Sequence, residues 1–141
     1  MPSPTRSTAA LCTLALTIVA TGCGGDRLQR VPVSGTVTLD GQSLAKGSIT
    51  FLPVGAGVAA GGMIEGGTYA IVRDDGPAPG SYKVEINATE PTGETIIDPV
   101  GNIEVPQVRN PVPARYNRNT ELTAEISATE PNVFDFALEQ Q

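Results

Sequence analysis

The chain has 141 residues, with 9 lysines and arginines against 15 acids, a formal net charge of −6, no histidine, no tryptophan and 2 cysteines. That length holds one domain. An acidic balance without a basic cluster excludes nucleic acid and anionic lipid headgroups as partners, and the missing histidine removes an essential member of zinc-peptidase sites and of His-dependent triads.

Residues 1–22 read as a secretory leader. Arg6 supplies a positive charge, residues 9–20 form an uncharged, largely apolar run, and Thr21-Gly22 are small; that order is the signal-peptide pattern. The run is shorter than the ~20 residues a spanning helix needs, so cleavage is expected rather than a retained anchor. Ala20-Thr21-Gly22-Cys23 resembles the lipobox of bacterial lipoproteins, with Ala20 where leucine is usual. The resemblance implies that the Cys23 thiol receives a diacylglyceryl group and becomes the new N-terminus. Stable anchoring needs more than one acyl chain, each buried methylene contributing ~0.8 kcal/mol, and a lipoprotein carries several. Cys12 lies in the leader, so the mature chain keeps Cys23 alone and forms no internal disulfide. Loss of residues 1–22 removes Arg6 and no acid, leaving a net charge of −7. Residues 23–30 are then the lipidated cysteine and a polar spacer of about seven residues, which reaches ~25 Å when extended. The domain, residues 31–141, is expected close to the membrane.

From Val31 onward the chain alternates, is rich in β-branched residues and is punctuated by Gly, Pro, Asn and Asp. Val33, Gly35, Val37 and Leu39 share one strand face, with Ser34, Thr36 and Thr38 on the other. Asp40-Gly41 signals a tight turn. Residues 48–53 resume the alternation through Ile49 and Phe51, and residues 58–64, mostly Ala and Gly, are ambiguous. Residues 68–72 put Tyr69 and Ile71 on one face. Residues 81–88 align Tyr82, Val84, Ile86 and Ala88 opposite Lys83, Glu85 and Asn87. Residues 121–128 align Leu122, Ala124, Ile126 and Ala128, and residues 132–138 present Phe134, Phe136 and Leu138. About seven short strands without helical periodicity predict an all-β, immunoglobulin-like β-sandwich, with Val84, Ile86, Phe134 and Phe136 in its core. Gly67 and Gly80 are expected at positive φ at turn ends. The heptapeptides 85–91 and 125–131 are nearly identical and read as two strands of one phase, each stopped by a proline.

Residues 89–113 are the least regular stretch, with Pro91, Gly93, Pro99, Gly101, Pro106, Pro111 and Pro113 among Ile96, Ile97, Val100, Ile103, Val105 and Val108. A loop of this length is unusual in a compact domain. Two readings stand: Ile96, Ile97, Val100 and Ile103, with the loop-placed Tyr116, bind a partner, or the apolar residues cover an open sheet edge. Residues 102–105 suit an extra edge strand.

The segment 33–51, VSGTVTLDGQSLAKGSITF, resembles the opening of carboxypeptidase regulatory-like domains, the transthyretin-like sandwiches of small planctomycete lipoproteins. Gly67-Thr68-Tyr69-Ala70-Ile71 and residues 79–84 look like that family's next strand entries, and residues 113–117 and 132–138 are similar to its closing segments; residues 54–66 match least. The resemblance implies a transthyretin-like fold that accompanies peptidases without cleaving peptides itself.

No nucleophile and base are paired in the sequence, so no catalytic residue, no enzyme activity and no cofactor are expected. Asp74-Asp75, with Asp98 or Glu65, are the acids best suited to calcium, but they lack the spacing of an acidic loop and read as solvated turn residues, leaving no metal site. A sugar platform wants exposed aromatic rings, yet Tyr69 and Tyr82 fall on inner faces. The expected protein is a non-catalytic envelope lipoprotein held to the membrane by its N-terminal lipid, serving as a structural or protein-interaction module for an envelope protein or a glycan. A carbohydrate-binding module and an accessory subunit of an envelope peptidase are the alternatives. Gly24 does not resemble the aspartate retention signal of inner-membrane lipoproteins, which points to the outer membrane.

Overall fold

A computed structural model describes residues 29–141, and the leader and Cys23 lie outside them. The described chain is all-β, a curled and mainly antiparallel sheet with a second small sheet attached. Its strands are β1 (Val33–Leu39), β2 (Gln42–Ser43), β3 (Lys46–Pro53), β4 (Ala60–Glu65), β5 (Thr68–Ile71), β6 (Gly80–Ala88), β7 (Glu90–Ile97), β8 (Glu104–Arg109), β9 (Thr123–Ile126), β10 (Asn132–Val133) and β11 (Phe136–Leu138). The main path runs β10-β1-β5-β4-β3-β6-β9, with β2 and β11 also on β1, and β7-β8 stand as a separate pair.

Alternation fixes which face of each strand is buried, because successive side chains point to opposite sides. Val33 and Val37, Ile49 and Phe51, Tyr69 and Ile71, and Tyr82, Val84, Ile86 and Ala88 all lie inside as the sequence pattern requires. The ambiguous Ala- and Gly-rich segment is β4, burying Ala60 and Ile64. Phe51 is fully buried, its ring centroid 6.3 Å from Tyr69 and 6.4 Å from both Tyr82 and Phe134. Both inward tyrosines satisfy their hydroxyls, Tyr69 donating to Phe134 O at 2.9 Å and Tyr82 to Ala78 O at 2.9 Å, as buried hydroxyls must.

Two turns set the register of the first five strands. Asp40 and Gly41 both have positive φ, 50° and 78°, between the paired Leu39 and Gln42, and Gly66 and Gly67 repeat this, 57° and 78°, between Glu65 and Thr68. Positive φ at both central residues matches the strand twist in two-residue hairpins. Gly80 is also at positive φ, 146°.

Strand β1 changes partners along its length. Its first four residues pair with β5, while Thr38 and Leu39 pair with β2 and Val37–Leu39 pair, in parallel, with β11. Within β1 a Cβ on Gly35 would lie 1.8 Å from Phe134 O, so only glycine allows that approach.

The segment 132–138 is therefore two short strands rather than one. Between them Asp135 Oδ1 accepts bonds from Thr36 N at 2.9 Å and Thr36 Oγ1 at 2.8 Å, replacing the ladder. Because β10 and β11 lie at the sheet edge, Phe134 and Phe136 pack on the core but stay half-buried, less enclosed than the sequence pattern suggests. The second heptapeptide also departs from expectation. Asn132 clasps Ser127, accepting from its N–H at 2.7 Å and donating to its carbonyl at 3.0 Å, so β9 ends at Ile126 and Ala128 is exposed. In the first copy Pro91 does not stop a strand but lies within β7.

The register gives the body two distinct ends. At one, Val31 N donates to Pro77 O at 3.0 Å and Arg30 to Gly76 O at 2.8 Å. At the other lie Leu39, Lys46, Ala88 and Leu138, where β6 hands the chain to β7.

Candidate functional site

Residues 89–113 are not an irregular loop. They form the hairpin β7-β8, with Glu90 paired to Arg109, Pro91 to Val108, Thr95 to Pro106, Ile96 to Val105 and Ile97 to Glu104. The expected edge strand at residues 102–105 is the start of β8, whose partner is β7 rather than the main sheet. Every residue of β7 is exposed, and in β8 only Val105 and Gln107 are half-buried. The ribbon thus shows both faces to solvent, and Ile96, Ile97 and Val100 do not cover a sheet edge.

Polar bonds close the base of the ribbon and tie it to the body. Glu90 Oε2 accepts from Arg109 Nη2 at 3.0 Å and Nε at 3.1 Å. Asn110 Oδ1 accepts from the N–H groups of Ala88 at 3.1 Å and Val112 at 3.0 Å, and its amide donates to Asn87 Oδ1 at 3.0 Å. Between Pro91 and Thr95 the register shifts in a bulge around Gly93, φ 86°. A bulge increases local twist and disrupts the ladder, and the prolines at 91 and 106 add no donor to either edge.

The tip is built by Asp98. Its Oδ1 accepts from Val100 N at 2.7 Å and its backbone pairs with Ile103 and Asn102; side-chain capping of this kind makes a turn intrinsically ordered. Asn102 takes positive φ, 49°, at which asparagine is among the tolerant residues. The result presents Val100 95% exposed, flanked by Ile97 and Ile103, 63% and 59% exposed. Ile96 lies on the opposite face from Ile97. Glu104, the register partner of Ile97, is exposed, Glu94 is exposed two residues before Ile96, and Asp98 is half-buried.

Tyr116 does not join this group. It lies in a single 3₁₀ turn, Ala114–Tyr116, packed on the core, its hydroxyl accepting from Glu139 N at 3.3 Å and its ring covered by the Arg115 guanidinium at 4.9 Å. A cleft of about 680 Å³ opens at the ribbon base between Leu39, Leu44, Ala88, Pro91 and Pro111, with Lys46 and Arg109 at its rim. Asp74 and Asp75 occupy an exposed 3₁₀ turn, Arg73–Asp75, and the Asp98 carboxylate is committed to the tip turn. Among the described residues no group of three His, Cys, Asp or Glu side chains is placed to hold a metal, and no helix is long and apolar enough to cross a membrane. Burial pushes the Tyr69 hydroxyl well up from its ordinary range, and the Asp135 carboxylate adds to the effect.

The ribbon carried a signal that sequence reading passed over. Thr95-Ile96-Ile97 and Ile103-Glu104-Val105 are β-prone runs flanking Asp98-Pro99-Val100-Gly101-Asn102, a turn composition. No family model matches the chain, and neither a curated protein nor a solved structure matches it.

Proposed function

We propose that this chain is a non-catalytic cell-envelope lipoprotein, anchored through Cys23, whose β-sandwich body presents the β7-β8 hairpin to a protein partner. The body is taken as a transthyretin-like sandwich of the carboxypeptidase regulatory-like kind. One observation carries the interaction reading: an ordered hairpin holds Ile97, Val100 and Ile103 in solvent. Contiguous exposed aliphatic surface is unfavourable for a free domain and marks binding sites. The protein reading has more support than the glycan reading, because a sugar platform needs open aromatic rings and Tyr116 is covered by Arg115.

Two experiments test this. Mass spectrometry of membrane-extracted protein should find an acylated Cys23 at the N-terminus, and Cys23→Ala should abolish that product; an unmodified Cys23 in the mature wild-type chain overturns the anchor. Replacing residues 94–105 by a Gly/Ser linker should leave a folded, anchored domain that no longer enters its envelope complex. A linker variant that unfolds would make the hairpin part of the core and remove the motive for the interaction reading.

A further inference from the structure

We infer that the hairpin's partner is a protein surface bearing an aliphatic groove rimmed by lysine or arginine, engaged by insertion of the tip rather than by strand addition, on the side of the domain away from its anchored end. The inference rests on the interaction reading above and adds the partner's chemistry.

Three features carry it. The first is charge. The ribbon holds Glu90, Glu94, Asp98 and Glu104 against Arg109 alone, and Arg109 is already paired with Glu90. Glu104 lies opposite Ile97 in the register, Asp98 follows Ile97 and caps the tip turn, and Glu94 adds charge two residues before Ile96, so the aliphatic residues have acids and no basic neighbour on the ribbon. Complementary potentials select partners and speed encounter, so the rim of the groove must be basic. The same acids oppose an anionic lipid surface and a second copy of this acidic chain.

The second feature is the state of the ribbon edges. Strand addition needs a continuous row of free backbone donors and acceptors. Pro91, Pro106 and the bulge at Gly93 interrupt both edges, which leaves side chains to make the contact. Ile97 and Glu104 are register partners on one face, so an aliphatic contact and an acidic one lie side by side.

The third is position. Arg30, the second described residue, is bonded to Gly76 at one end of the body, and the hairpin leaves from Ala88 at the other. With the lipid at Cys23, the hairpin starts from the end of the body opposite the one that receives the anchored segment.

The test places a photo-crosslinking amino acid at Val100 of the full chain in its native envelope, with the exposed Val72 at the anchored end as the control position. A protein adduct is expected from Val100 and not from Val72. Mapping of the crosslinked peptide should place the contact among Leu, Ile or Val with Lys or Arg adjoining. The double variant Glu94→Lys, Glu104→Lys should lower the adduct yield on the order of tenfold through the lost electrostatic attraction, with unchanged thermal unfolding. An adduct to lipid, an adduct to a second copy of the chain, or a contact lacking basic residues overturns the inference. A protein adduct insensitive to the charge reversal also overturns it while leaving the hairpin as an interaction element. No adduct at all overturns the interaction reading itself.

Discussion

The sandwich body and the β7-β8 ribbon are both built of strands carrying branched aliphatic residues, yet one hides them and the other shows them. Strand β6 alternates Tyr82, Val84, Ile86 and Ala88 with polar residues and buries the whole apolar row. Strand β7 carries Ile96 and Ile97 in sequence and buries neither. The difference is the second layer. Strand β6 lies between β3 and β9, and its inward row joins one core cluster with Val33 and Val37 of β1 and Tyr69 and Ile71 of β5, whereas the ribbon has only its own partner strand. Alternation selects which residues share a face, and only packing against another layer decides whether that face leaves water. The ribbon is ordered by other means: the Glu90–Arg109 pair and Asn110 at its base, and Asp98 at its tip.

The contrast can be broken most forcefully from within the body. Phe51→Ala should destabilise the domain by about 3–5 kcal/mol, the range for removing a fully enclosed aromatic ring, read from urea unfolding. Phe134→Ala should give a smaller loss, since that ring is half-buried. Equal losses would place the edge strands as deep as the centre. Gly35→Ala comes next, because its methyl group would collide with Phe134 O; separating β1 from the segment 132–138 should lower stability by about 1–3 kcal/mol.

Tyr69→Phe should lose about 1 kcal/mol with the bond to Phe134 O, and it carries a pH signature. Burial holds the Tyr69 hydroxyl protonated in the folded state above its ordinary range. At and below neutral pH both states keep the proton and no penalty exists. As pH rises past about 10, the unfolded chain ionises first, so stability falls with increasing pH. Alkaline unfolding of the wild type should show this decline and that of Tyr69→Phe should lack Tyr69's share of it; identical pH profiles would mean that the hydroxyl is open to water. The smallest effect belongs to the ribbon. Val100→Ser should change thermal stability by no more than about 0.5 kcal/mol, the usual range for exposed positions away from structural features. A larger loss would show that the tip packs on something.

Most of the body was legible because its information is local. Asp40-Gly41 needs only two residues to specify a turn, and the inward rows of β3, β5 and β6 follow from period two. What escaped depends on contacts distant in sequence. The break in 132–138 requires Asp135 to meet Thr36, and the early end of β9 requires Asn132 to reach back to Ser127. The ribbon was concealed by its prolines, which read as loop when set beside a central strand and are tolerated in strands that have an open edge. Of the residues expected to bind a partner, Ile96, Ile97, Val100 and Ile103 do share one ribbon. Tyr116 looked similar because a polar, proline-rich context surrounds it, but its covering by Arg115 cannot be seen in a sequence.

The parallel pairing of β1 with β10 and β11 also sets an order of events. Thr36 and Asp135 are 99 positions apart, and contacts of such separation slow folding because the intervening chain must be gathered first. A chain delivered N-terminus first has β1 long before it has the strands that close it. Until residues 132–138 arrive, one flank of β1 offers its backbone to any passing strand, the condition under which β-proteins misassociate. Truncation before Asn132 should therefore yield aggregation rather than a smaller stable domain, and whatever handles the nascent chain must keep the β10- and β11-facing flank of Val33 to Leu39 unpaired until the far end of the domain is available.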